Sequence, residues 1–439
     1  MPSQFRLTLA LALAPFAAAV MVERPAAAHE PEFHAIFNGE DFSGWRGEST
    51  IDPRKFKAMS EEEQKAKLAA DAEDAAKHWK VENGEIVSDG HGVFMSTEKD
   101  YGDVEFFVDF KIGPRGDSGV YVRGTPQIQI WDFTEEDKFS LGADKGSGGL
   151  WNNSAGAPGK DPLVFADNPI GEWNTLHVLQ IGARTTVWLN DKLVVDDAIM
   201  ENYWDRKTPL AKVGPIQLQT HGSETRFRNV KLREIGPDEA NAILAKRDRT
   251  DGFLKLFDGE SLDGWKGATD NYEVVDGSIR CKPKHGGTLY YDKEFADFVA
   301  LLEFKLPPAG NNGLAIRYPG HGDAAYGGMT ELQVLDDGHE QYKTIDPRQA
   351  HGSAYGQVPA HRGYLRPTGQ WNYEKVTVKG PKIQVELNGT RILDADLSAV
   401  KEFMANSPHP GKDRTEGFFG FAGHNDPVEF REIHVKPID

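Results

Sequence analysis

The chain has 439 residues, a length that favours two or three domains over a single hydrophobic core. With 39% hydrophobic, 10% aromatic and 27% charged residues, the composition is that of a globular protein and excludes a largely disordered one. The formal net charge of −18 leaves no excess of basic residues to neutralise phosphate groups. Nucleic acid and anionic membrane surfaces are therefore poor partners, and an uncharged or cationic ligand fits better.

The first 28 residues have the features of a secretory signal peptide. Arg6 supplies a positive charge, LTLALALAPFAAAV an apolar core, and the alanines before His29 a small-residue cleavage site. No cysteine follows the apolar core and no later run approaches about 18 apolar residues, so neither a lipid anchor nor a transmembrane helix is predicted. We therefore expect a periplasmic or secreted protein. The single cysteine, Cys281, cannot form a disulfide within the chain, so packed cores must stabilise the fold.

The segment after the predicted signal peptide opens with a motif that returns later. IFNGEDFSGWRG, residues 36–47, is closely similar to LFDGESLDGWKG, residues 256–267. A glycine-free run rich in Ala, Glu and Lys then predicts a helical insertion near residues 52–78. In DVEFFVDFKI, residues 103–112, apolar residues recur at every second position, which predicts a strand with one buried face.

A linker helix is predicted at residues 236–252, because Pro and Asp open this segment and Gly closes it. It separates a first unit, residues 31–235, from a second unit, residues 253–439. The second unit repeats the first: DSGVYVR (117–123) returns as NNGLAIR (311–317), GEWN (171–174) as GQWN (369–372), and THGSETRFRNV (220–230) as GHNDPVEFREI (423–433). A period near 200 residues indicates a domain duplication.

Strand and turn signals continue to the end of the second unit. In KIQVELNGTRILDADL, Asn388 and Gly389 suit the positive φ angles of a tight hairpin turn between two alternating strands. Short strands separated by Gly, Pro and Asn or Asp turns predict an all-β fold with a sandwich or jelly roll in each unit. Four tryptophans at repeated positions are expected in the cores: Trp45, Trp173, Trp265 and Trp371.

Over nearly all of its length after the predicted signal peptide, and in both units, the sequence resembles the secreted bacterial 3-keto-disaccharide hydrolase domains. The resemblance is carried by the paired motifs above, by QIQIWD (127–132) and ELQVLDD (331–337), and by GSAYGQVPA (352–360). It implies two tandem concanavalin A-like jelly rolls. It also implies cleavage of glycosides whose glucose ring has already been oxidised to the ketone at carbon 3.

Polar side chains on one strand face form the first candidate site. Glu331 and Gln333 share a face, because residues two apart in a strand point the same way, and Arg317 ends a neighbouring strand. A solvent-facing sheet surface is the alternative interpretation, but the polar face repeats in both units, which favours a concave groove. Gln127 stands where the second unit has Glu331. The second unit is therefore expected to be catalytic, and the first to be a second site or a sugar-binding partner.

Histidines and aromatic residues add further candidates. His221 and His424 recur just before the final strand of each unit, and Tyr355 matches Trp151 in a loop where a flat ring could stack on a sugar. The expected catalytic residues are Glu331, His424 and Arg317. The expected substrate-binding residues are Gln333, Asp336, His351, Tyr355, Arg123, Gln129, Asp132, Trp151 and His221.

The implied reaction has specific chemical needs. A ketone at carbon 3 acidifies the proton on carbon 2, so loss of the glycosidic oxygen from carbon 1 becomes an elimination. The site then needs a base, a group that stabilises the enolate and a proton donor for the leaving group. Glu331 or His424 can serve as the base, and Arg317 or a divalent cation held by Glu331 and Asp336 can stabilise the enolate.

Other classes of function are weighed against this one. No nucleotide-binding glycine loop follows a strand, and no serine-hydrolase elbow is present, so no nucleotide cofactor is expected. A non-catalytic pair of carbohydrate-binding modules is the main alternative, since fold does not fix function. A structural or cell-surface protein is a third. The sequence leaves open the aglycone, the metal and the oligomeric state.

Overall fold

Short strands alternate with turns along both halves of the chain. A computed structural model describes residues 32–249 and 251–438, so the predicted signal peptide lies outside the described residues. The strands of the first half are β1 (His34–Ala35), β2 (Trp45–Glu48), β3 (Trp79–Glu82), β4 (Glu85–Ser88), β5 (Phe94–Thr97), β6 (Val104–Ile112), β7 (Asp117–Val122), β8 (Gln127–Trp131), β9 (Asn174–Ile181), β10 (Arg184–Leu189), β11 (Lys192–Ile199), β12 (Ile216–Leu218) and β13 (Thr225–Glu234).

The second half has a matching set of strands. These are β14 (Leu254–Lys255), β15 (Trp265–Gly267), β16 (Tyr272–Val275), β17 (Ser278–Cys281), β18 (Gly286–Phe295), β19 (Phe298–Lys305), β20 (Asn311–Tyr318), β21 (Thr330–Leu335), β22 (Trp371–Lys379), β23 (Lys382–Leu387), β24 (Thr390–Asp396), β25 (Gly417–His424) and β26 (Glu429–Pro437). The helices are α1 (Pro53–Lys57), α2 (Glu61–His78), α3 (Pro237–Asp248) and α4 (Ala324–Gly327). Short 3-10 turns lie at Glu136–Leu141, Ala143–Lys145, Thr269–Asn271, Glu340–Tyr342, Pro347–Gln349, Leu397–Ala399 and Met404–Asn406.

Each half is a two-layered antiparallel sandwich, and the two halves have the same strand order. In the first half the larger sheet runs β11-β10-β9-β6-β13-β4-β3 with β1 beside β13, and the smaller sheet runs β2-β5-β12-β7-β8. In the second half the sheets run β24-β23-β22-β19-β26-β17-β16, with β14 beside β26, and β15-β18-β25-β20-β21. The predicted all-β fold of two tandem jelly rolls is confirmed.

Period-two alternation of apolar residues builds a core between the two sheets of each half. Along β6 every second residue from Val104 to Ile112 is buried, as the sequence pattern predicts. Phe106 and Phe227 are fully buried in the first core, and Phe304 and Phe430 in the second. The hairpin between β23 and β24 turns at Asn388 and Gly389 with positive φ angles of 50° and 78°, which confirms that prediction.

The repeated tryptophans divide into two pairs. Trp45 and Trp265 are buried, and each indole N–H donates to a backbone carbonyl. Trp173 and Trp371 are only half-buried, so the expectation that they belong to the cores is wrong. They lie instead under the guanidinium groups of Arg228 and Arg431, at 3.9 and 4.0 Å from the ring. A flat ring capped by a cation can remain at the surface of a sheet.

Two helical segments interrupt the strand pattern. In α2, which follows the Ala-, Glu- and Lys-rich composition of residues 52–78, Ser60 and Glu63 form a reciprocal capping box at the N-terminus. The helix is joined to β2 through Asp71, whose carboxylate accepts the Ser49 backbone N–H at 3.1 Å and pairs with Lys67 at 2.8 Å. Among the described helices, none is long and apolar enough to cross a membrane.

Helix α3 packs between the two halves of the chain. Its Ala240 and Leu244 are fully buried with Ile181 of the first half and with Leu301 and Tyr373 of the second. The backbone N–H of Ala183 also donates to the carbonyl of Gly389 at 3.0 Å, so hairpins from the two halves touch directly. The short helix therefore contributes buried apolar side chains to the contact between the two halves, in addition to connecting them.

Charged groups surround this junction. Arg184 pairs with Asp248 at 2.9 Å, with Asp197 at 3.0 Å and with Glu386 of the second half, and its side chain is 5% exposed. Asp248 also pairs with Lys375 at 2.7 Å. Burial of several carboxylates is tolerated here because one guanidinium serves three of them.

Replacing Arg184 by Ala should therefore weaken the junction. Asp248 and Glu386 would remain largely buried without that guanidinium, and we expect the free energy of unfolding to fall by about 3 kcal/mol in urea denaturation. Arg249→Ala is the matched control, because Arg249 pairs with Glu432 in a solvent-exposed position and should cost less than about 1 kcal/mol. Equal losses for the two variants would contradict this account of the junction.

Candidate functional site

The smaller sheet of the second half carries a polar cavity on its outer face. Strands β25, β20 and β21 are neighbours there, and their outward side chains meet loops from both ends of the sheet. The cavity has a volume of about 230 Å³. Its lining residues are Asn311, Asp323, Ala325, Tyr326, Glu331, Gln333, Leu335, Tyr342, Ile345, Gln349, Tyr355 and His424.

A carboxylate and an imidazole are paired in this cavity. Glu331 is 3% exposed, and its Oε1 lies 3.3 Å from Nε2 of His424, whose side chain is 47% exposed. Gly313, on the adjacent strand, leaves the room that the carboxylate needs, since a Cβ there would lie 2.2 Å from Glu331 Oε1. The pair thus has a buried acid at the floor and a histidine nearer to solvent.

The environment changes the proton affinity of both partners. Burial raises the pKa of Glu331 above its ordinary value, and the hydrogen bond with His424 opposes this only in part. The hydrogen bond to Glu331 raises the pKa of His424, against the effect of burial. The charges of Asp323 and Asp426 act on His424 in the same direction as Glu331. The hydrogen bond thus couples the protonation of the two groups, since each acts on the pKa of the other.

Amide and phenol groups complete the polar lining. The Gln333 side-chain amide donates to Asn311 Oδ1 at 2.6 Å, which directs the Asn311 amide group as a donor. The Gln349 amide donates to the hydroxyl of Tyr355 at 3.2 Å, so the Tyr355 proton is available to another acceptor. Tyr326 meets Tyr355 edge to face, with ring centroids 6.5 Å apart. The site offers hydrogen-bond donors beside an aromatic corner.

One wall of the cavity comes from a connection that is longer in the second half. Three residues separate Arg123 from Gln127 in the first half, but thirteen separate Arg317 from Glu331. The longer connection contains α4, which begins after the N-cap Asp323 and contributes Asp323, Ala325 and Tyr326 to the cavity. Sequence reasoning missed these residues, as well as Asn311, Tyr342 and Gln349. The difference in length between the copies was the available signal for α4.

Glu331, Gln333, Tyr355 and His424 meet in one cavity, but Arg317 does not join them. Arg317 is 1% exposed and points away from the cavity, with hydrogen bonds to the carbonyls of Ala296, Gly380 and Arg414 and to Asp297. Arg317 is therefore not among the residues that line this cavity. Its donors are used to join the end of β20 to neighbouring segments.

Arg123 repeats this structural arrangement in the first half. It is 4% exposed and pairs with Asp103 at 2.8 Å. Asp103 also accepts the backbone N–H of Gly182, just as Asp297 accepts that of Gly380. Arg123 therefore anchors the end of its strand as Arg317 does, and its binding of substrate stays a prediction.

Two aspartates and one histidine also lie outside the cavity. Asp132 accepts the backbone N–H groups of Arg115 and Thr134, and Asp336 accepts that of Ala309, so both hold turns. His351 is 2% exposed, packs on the core ring of Phe304 and lies 3.2 Å from Glu374. All three were expected to bind substrate. Their carboxylate or imidazole groups are instead occupied by backbone or buried partners.

The remaining first-half candidates are also engaged within the protein. The Gln129 amide donates to Asp117 at 2.9 Å, and exposed His221 lies 3.1 Å from the same carboxylate. Trp151, the counterpart of Tyr355, is covered by the ammonium of Lys160 at 3.8 Å from the ring. These residues are near the counterpart of the second-half cavity, but nearby side chains already satisfy them.

The suggested cation would need ligands that the site does not assemble. Asp336, its second expected ligand, holds the turn at Ala309, and Glu331 faces His424. Over residues 32–249 and 251–438 no group of three or more His, Cys, Asp or Glu side chains is close enough to hold a metal ion. Among the described residues, Glu331 and Asp336 are therefore not brought together as ligands of one cation.

A larger cavity, about 580 Å³, lies between the halves, beside β11 and β24. Its lining contains three acidic residues, Asp197, Glu201 and Asp394, and each of them pairs with an arginine. The lining contains no Phe, Tyr or Trp, and none of its carboxylates pairs with its histidine, His361. The smaller cavity around Glu331 is therefore the better candidate for chemistry.

Fold and site together define a twin β-sandwich protein with a carboxylate–imidazole pair in a cavity of the second half. The family described as the 3-keto-alpha-glucoside-1,2-lyase-like domain matches residues 32–233 and 252–436, and the chain belongs to this family. The chain is 26% identical over 230 residues to a 3-keto-disaccharide hydrolase of Bacteroides thetaiotaomicron, an alignment that covers 43% of this chain and 79% of that protein.

Solved structures that match part of the chain include two bacterial proteins. One is a candidate glycosyl hydrolase from Parabacteroides distasonis, 23% identical with a TM-score of 0.39, for which the match covers 43% of this chain and all of that one. The other is the carbohydrate-binding module CBM66 from Bacillus subtilis, 14% identical with a TM-score of 0.27, for which the match covers 39% of this chain and 95% of that one.

The buried guanidinium groups give a test that separates structure from catalysis. Arg317→Met would remove the partner of Asp297 and the donors to three carbonyls, and we expect the free energy of unfolding to fall by about 3 kcal/mol. Arg123→Met should behave alike. Arg391→Met, at an exposed pair with Asp394, should cost less than about 1 kcal/mol. An Arg317 variant with unchanged stability but no activity would return Arg317 to the substrate site.

The pKa of Glu331 gives a second test. Because the folded state raises this pKa above the unfolded value of about 4.5, wild-type stability should fall as pH rises from there through the folded pKa. Gln at position 331 cannot titrate. The melting temperature of Glu331→Gln should therefore rise relative to that of the wild type as the pH increases through this range. Glu82→Gln is the control, since Lys80 and Arg226 lower the pKa of Glu82 and the sign should reverse. A pH-independent difference for Glu331→Gln would refute the assignment.

Proposed function

We propose that the second-half cavity binds the oxidised ring of a 3-keto-glycoside and cleaves its glycosidic bond. The observation that carries this proposal is the pairing of buried Glu331 with half-exposed His424 in a cavity of about 230 Å³. At about 30 Å³ for each water molecule this is space for roughly eight waters, which suits one six-membered sugar ring. The aglycone would extend past the cavity mouth.

An elimination suits this site better than ordinary glycoside hydrolysis. Ordinary glycosidases use two carboxyl groups on opposite sides of the scissile bond. Here an imidazole lies beside Glu331, and the other carboxylate in the lining, Asp323, accepts the backbone N–H of Ala325 at 2.8 Å. A base next to a histidine fits removal of one proton and delivery of another to adjacent positions of the ring.

The steps can be assigned to atoms. Glu331 as carboxylate takes the proton from carbon 2, and the electron pair forms the enolate with the carbon 3 oxygen. Collapse of the enolate forms the double bond between carbons 1 and 2 and expels the aglycone oxygen, to which the His424 imidazolium gives its proton. Water then adds at carbon 1 and a proton returns to carbon 2, giving the free 3-keto sugar.

Hydrogen-bond donors in the lining can stabilise the enolate oxygen. The Asn311 amide is oriented by Gln333, and the Tyr355 hydroxyl is held as a donor by Gln349. These neutral donors replace Arg317 in this role. In a site from which water is excluded, such fixed donors contribute strongly to rate.

The family and its hydrolase relative support the substrate class. A net charge of −18 agrees with an uncharged ligand such as a sugar. We also propose that the protein is exported to the periplasm or beyond, because residues 1–28 have a positive start, an apolar core and a small-residue end.

The experiment is to incubate the purified protein with methyl 3-keto-α-glucoside in D₂O. We expect release of methanol and deuterium at carbon 2 of the product, because proton removal from carbon 2 precedes bond cleavage. Methyl α-glucoside, which lacks the ketone, is the control substrate and should not react. Parallel reactions with a chelator and with added divalent cations test whether the activity needs a metal. Release without deuterium at carbon 2 would refute elimination.

Variants of the pair test the roles. Glu331→Gln and His424→Asn should each lower kcat by at least about 100-fold, the usual contribution of a general acid or base. The wild-type pH profile should have an acid limb above the ordinary pKa of Glu and a basic limb above the ordinary pKa of His, since both pKa values are raised. Unchanged kcat in Glu331→Gln would exclude this site. Sugar binding without release would favour the non-catalytic module.

A further inference from the structure

The two halves place different side chains at equivalent positions of the smaller sheet. Tyr121 is the cross-strand partner of Gln127, and Ala315 is the partner of Glu331 at the same register. On the next strand, Gln217 pairs with Tyr121 as Gly420 pairs with Ala315. Cross-strand partners share a face, so these positions cover the same patch in both halves.

In the first half this patch is filled by large side chains of the sheet itself. The Tyr121 hydroxyl donates to the Gln127 side chain, and its ring lies 5.3 Å from that of Phe94. Two residues beyond Gln217 on the chain, Gln219 lies beside Gln127 over Gly119 and is 9% exposed. The patch holds a closed network of side chains.

In the second half small side chains occupy the same patch, and helix α4 packs on them. Ala315 and Ala422, the counterparts of Tyr121 and Gln219, are buried in one apolar cluster with Tyr318 and with Ala324 of α4. Helix α4 therefore packs where the first half has bulky side chains. A tyrosine at 315, whose ring is much larger than a methyl group, would crowd the buried cluster that holds Ala324.

Several contacts fix the segment that carries α4. The Tyr318 hydroxyl donates to the carbonyl of Gly322 at 2.9 Å, and His409 Nδ1 lies 2.8 Å from the carbonyl of Ala325. The backbone N–H of Gly411 donates to the carbonyl of Tyr326 at 2.9 Å. The segment is held from both sides, and Asp323 and Tyr326 are presented to the cavity as a built wall.

We propose that the segment of residues 319–329, seated on Ala315 and Ala422, is the specificity element of the second-half site, and that the first half, closed by Tyr121 and Gln219, does not turn over substrate. This rests on the proposed function. Asp323 accepts a hydrogen bond from a hydroxyl of the oxidised ring, and Tyr326 packs against its C–H face. Ala315 and Ala422 are positioning residues, since they act through α4.

Substitutions in the wall should separate binding from chemistry. Asp323→Asn keeps an N-cap residue of similar quality, so α4 should persist, yet a charged acceptor is lost. We expect KM for methyl 3-keto-α-glucoside to rise about tenfold with kcat changed less than about threefold, as for a contact made equally in ground and transition states. Tyr326→Ala should act alike, and Tyr326→Phe should restore the wild-type KM.

Placing the first-half residues at positions 315 and 422 tests whether small side chains there are needed to position α4. Ala315→Tyr and Ala422→Gln place in the second half side chains that the first half accommodates at the same register, so the sandwich should stay folded by circular dichroism. Each should raise KM at least about tenfold by displacing α4. Tyr121→Ala and Gln219→Ala are the matched controls and should leave kcat/KM unchanged. A fall in kcat/KM for either control would overturn the claim of an inactive first half.

Binding measurements keep this inference separate from the proposed reaction. Calorimetric titration of Glu331→Gln with methyl 3-keto-α-glucoside gives Kd without turnover. Adding Asp323→Asn or Tyr326→Ala to that variant should raise Kd about tenfold. If the wild type releases no methanol but Kd still rises when Asp323 or Tyr326 is changed, the specificity element is supported and the proposed reaction is refuted. If neither Kd nor KM changes when Asp323 or Tyr326 is replaced, or if no sugar binding is detected, the inference is overturned.

Discussion

The structure of the site depends on a carboxylate held out of water on the outer face of a β-sheet. Glu331 tolerates this position because Gly313 leaves it space and His424 lies within hydrogen-bonding distance. Burial without a partner would leave the group protonated and inert, and full exposure would leave it a weak base with an ordinary pKa. Glu331 on β21 is buried but paired with the more exposed His424 at the end of β25, so its environment lies between full burial and full exposure. Sheet geometry sets this distance, since β20 lies between the two strands.

Much of the fold could be predicted from the sequence, because repetition and period-two alternation are local signals. The buried face of β6 and the Asn388-Gly389 turn follow from residue type alone. Trp173 and Trp371 were placed wrongly, because an arginine two strands away in the same sheet covers each ring and sequence spacing does not reveal that partner. Residue type indicates that a side chain prefers to be covered. Whether the core or a neighbouring cation covers it depends on the tertiary structure.

For the site, Glu331, His424, Gln333 and Tyr355 could be brought together from the sequence, but the arginines could not. Arg317 was favoured because it repeats as Arg123, yet each anchors the end of a strand to an aspartate in its own half. Both copies keep this anchor, so the repeated arginines serve the fold. The cavity depends on what differs between them, such as Glu331 in place of Gln127 and the long connection with α4.

The length of that connection has an energetic consequence for a duplicated protein. Lengthening a loop from three to thirteen residues adds only about 1.3 kcal/mol of closure entropy, since this cost grows with the logarithm of length. The ten extra residues join β20 to β21 at the edge of the sheet, where neither strand register nor the buried face has to change. One copy can therefore carry a longer, helix-containing connection at small thermodynamic cost, while the other keeps the same strand order with a short one.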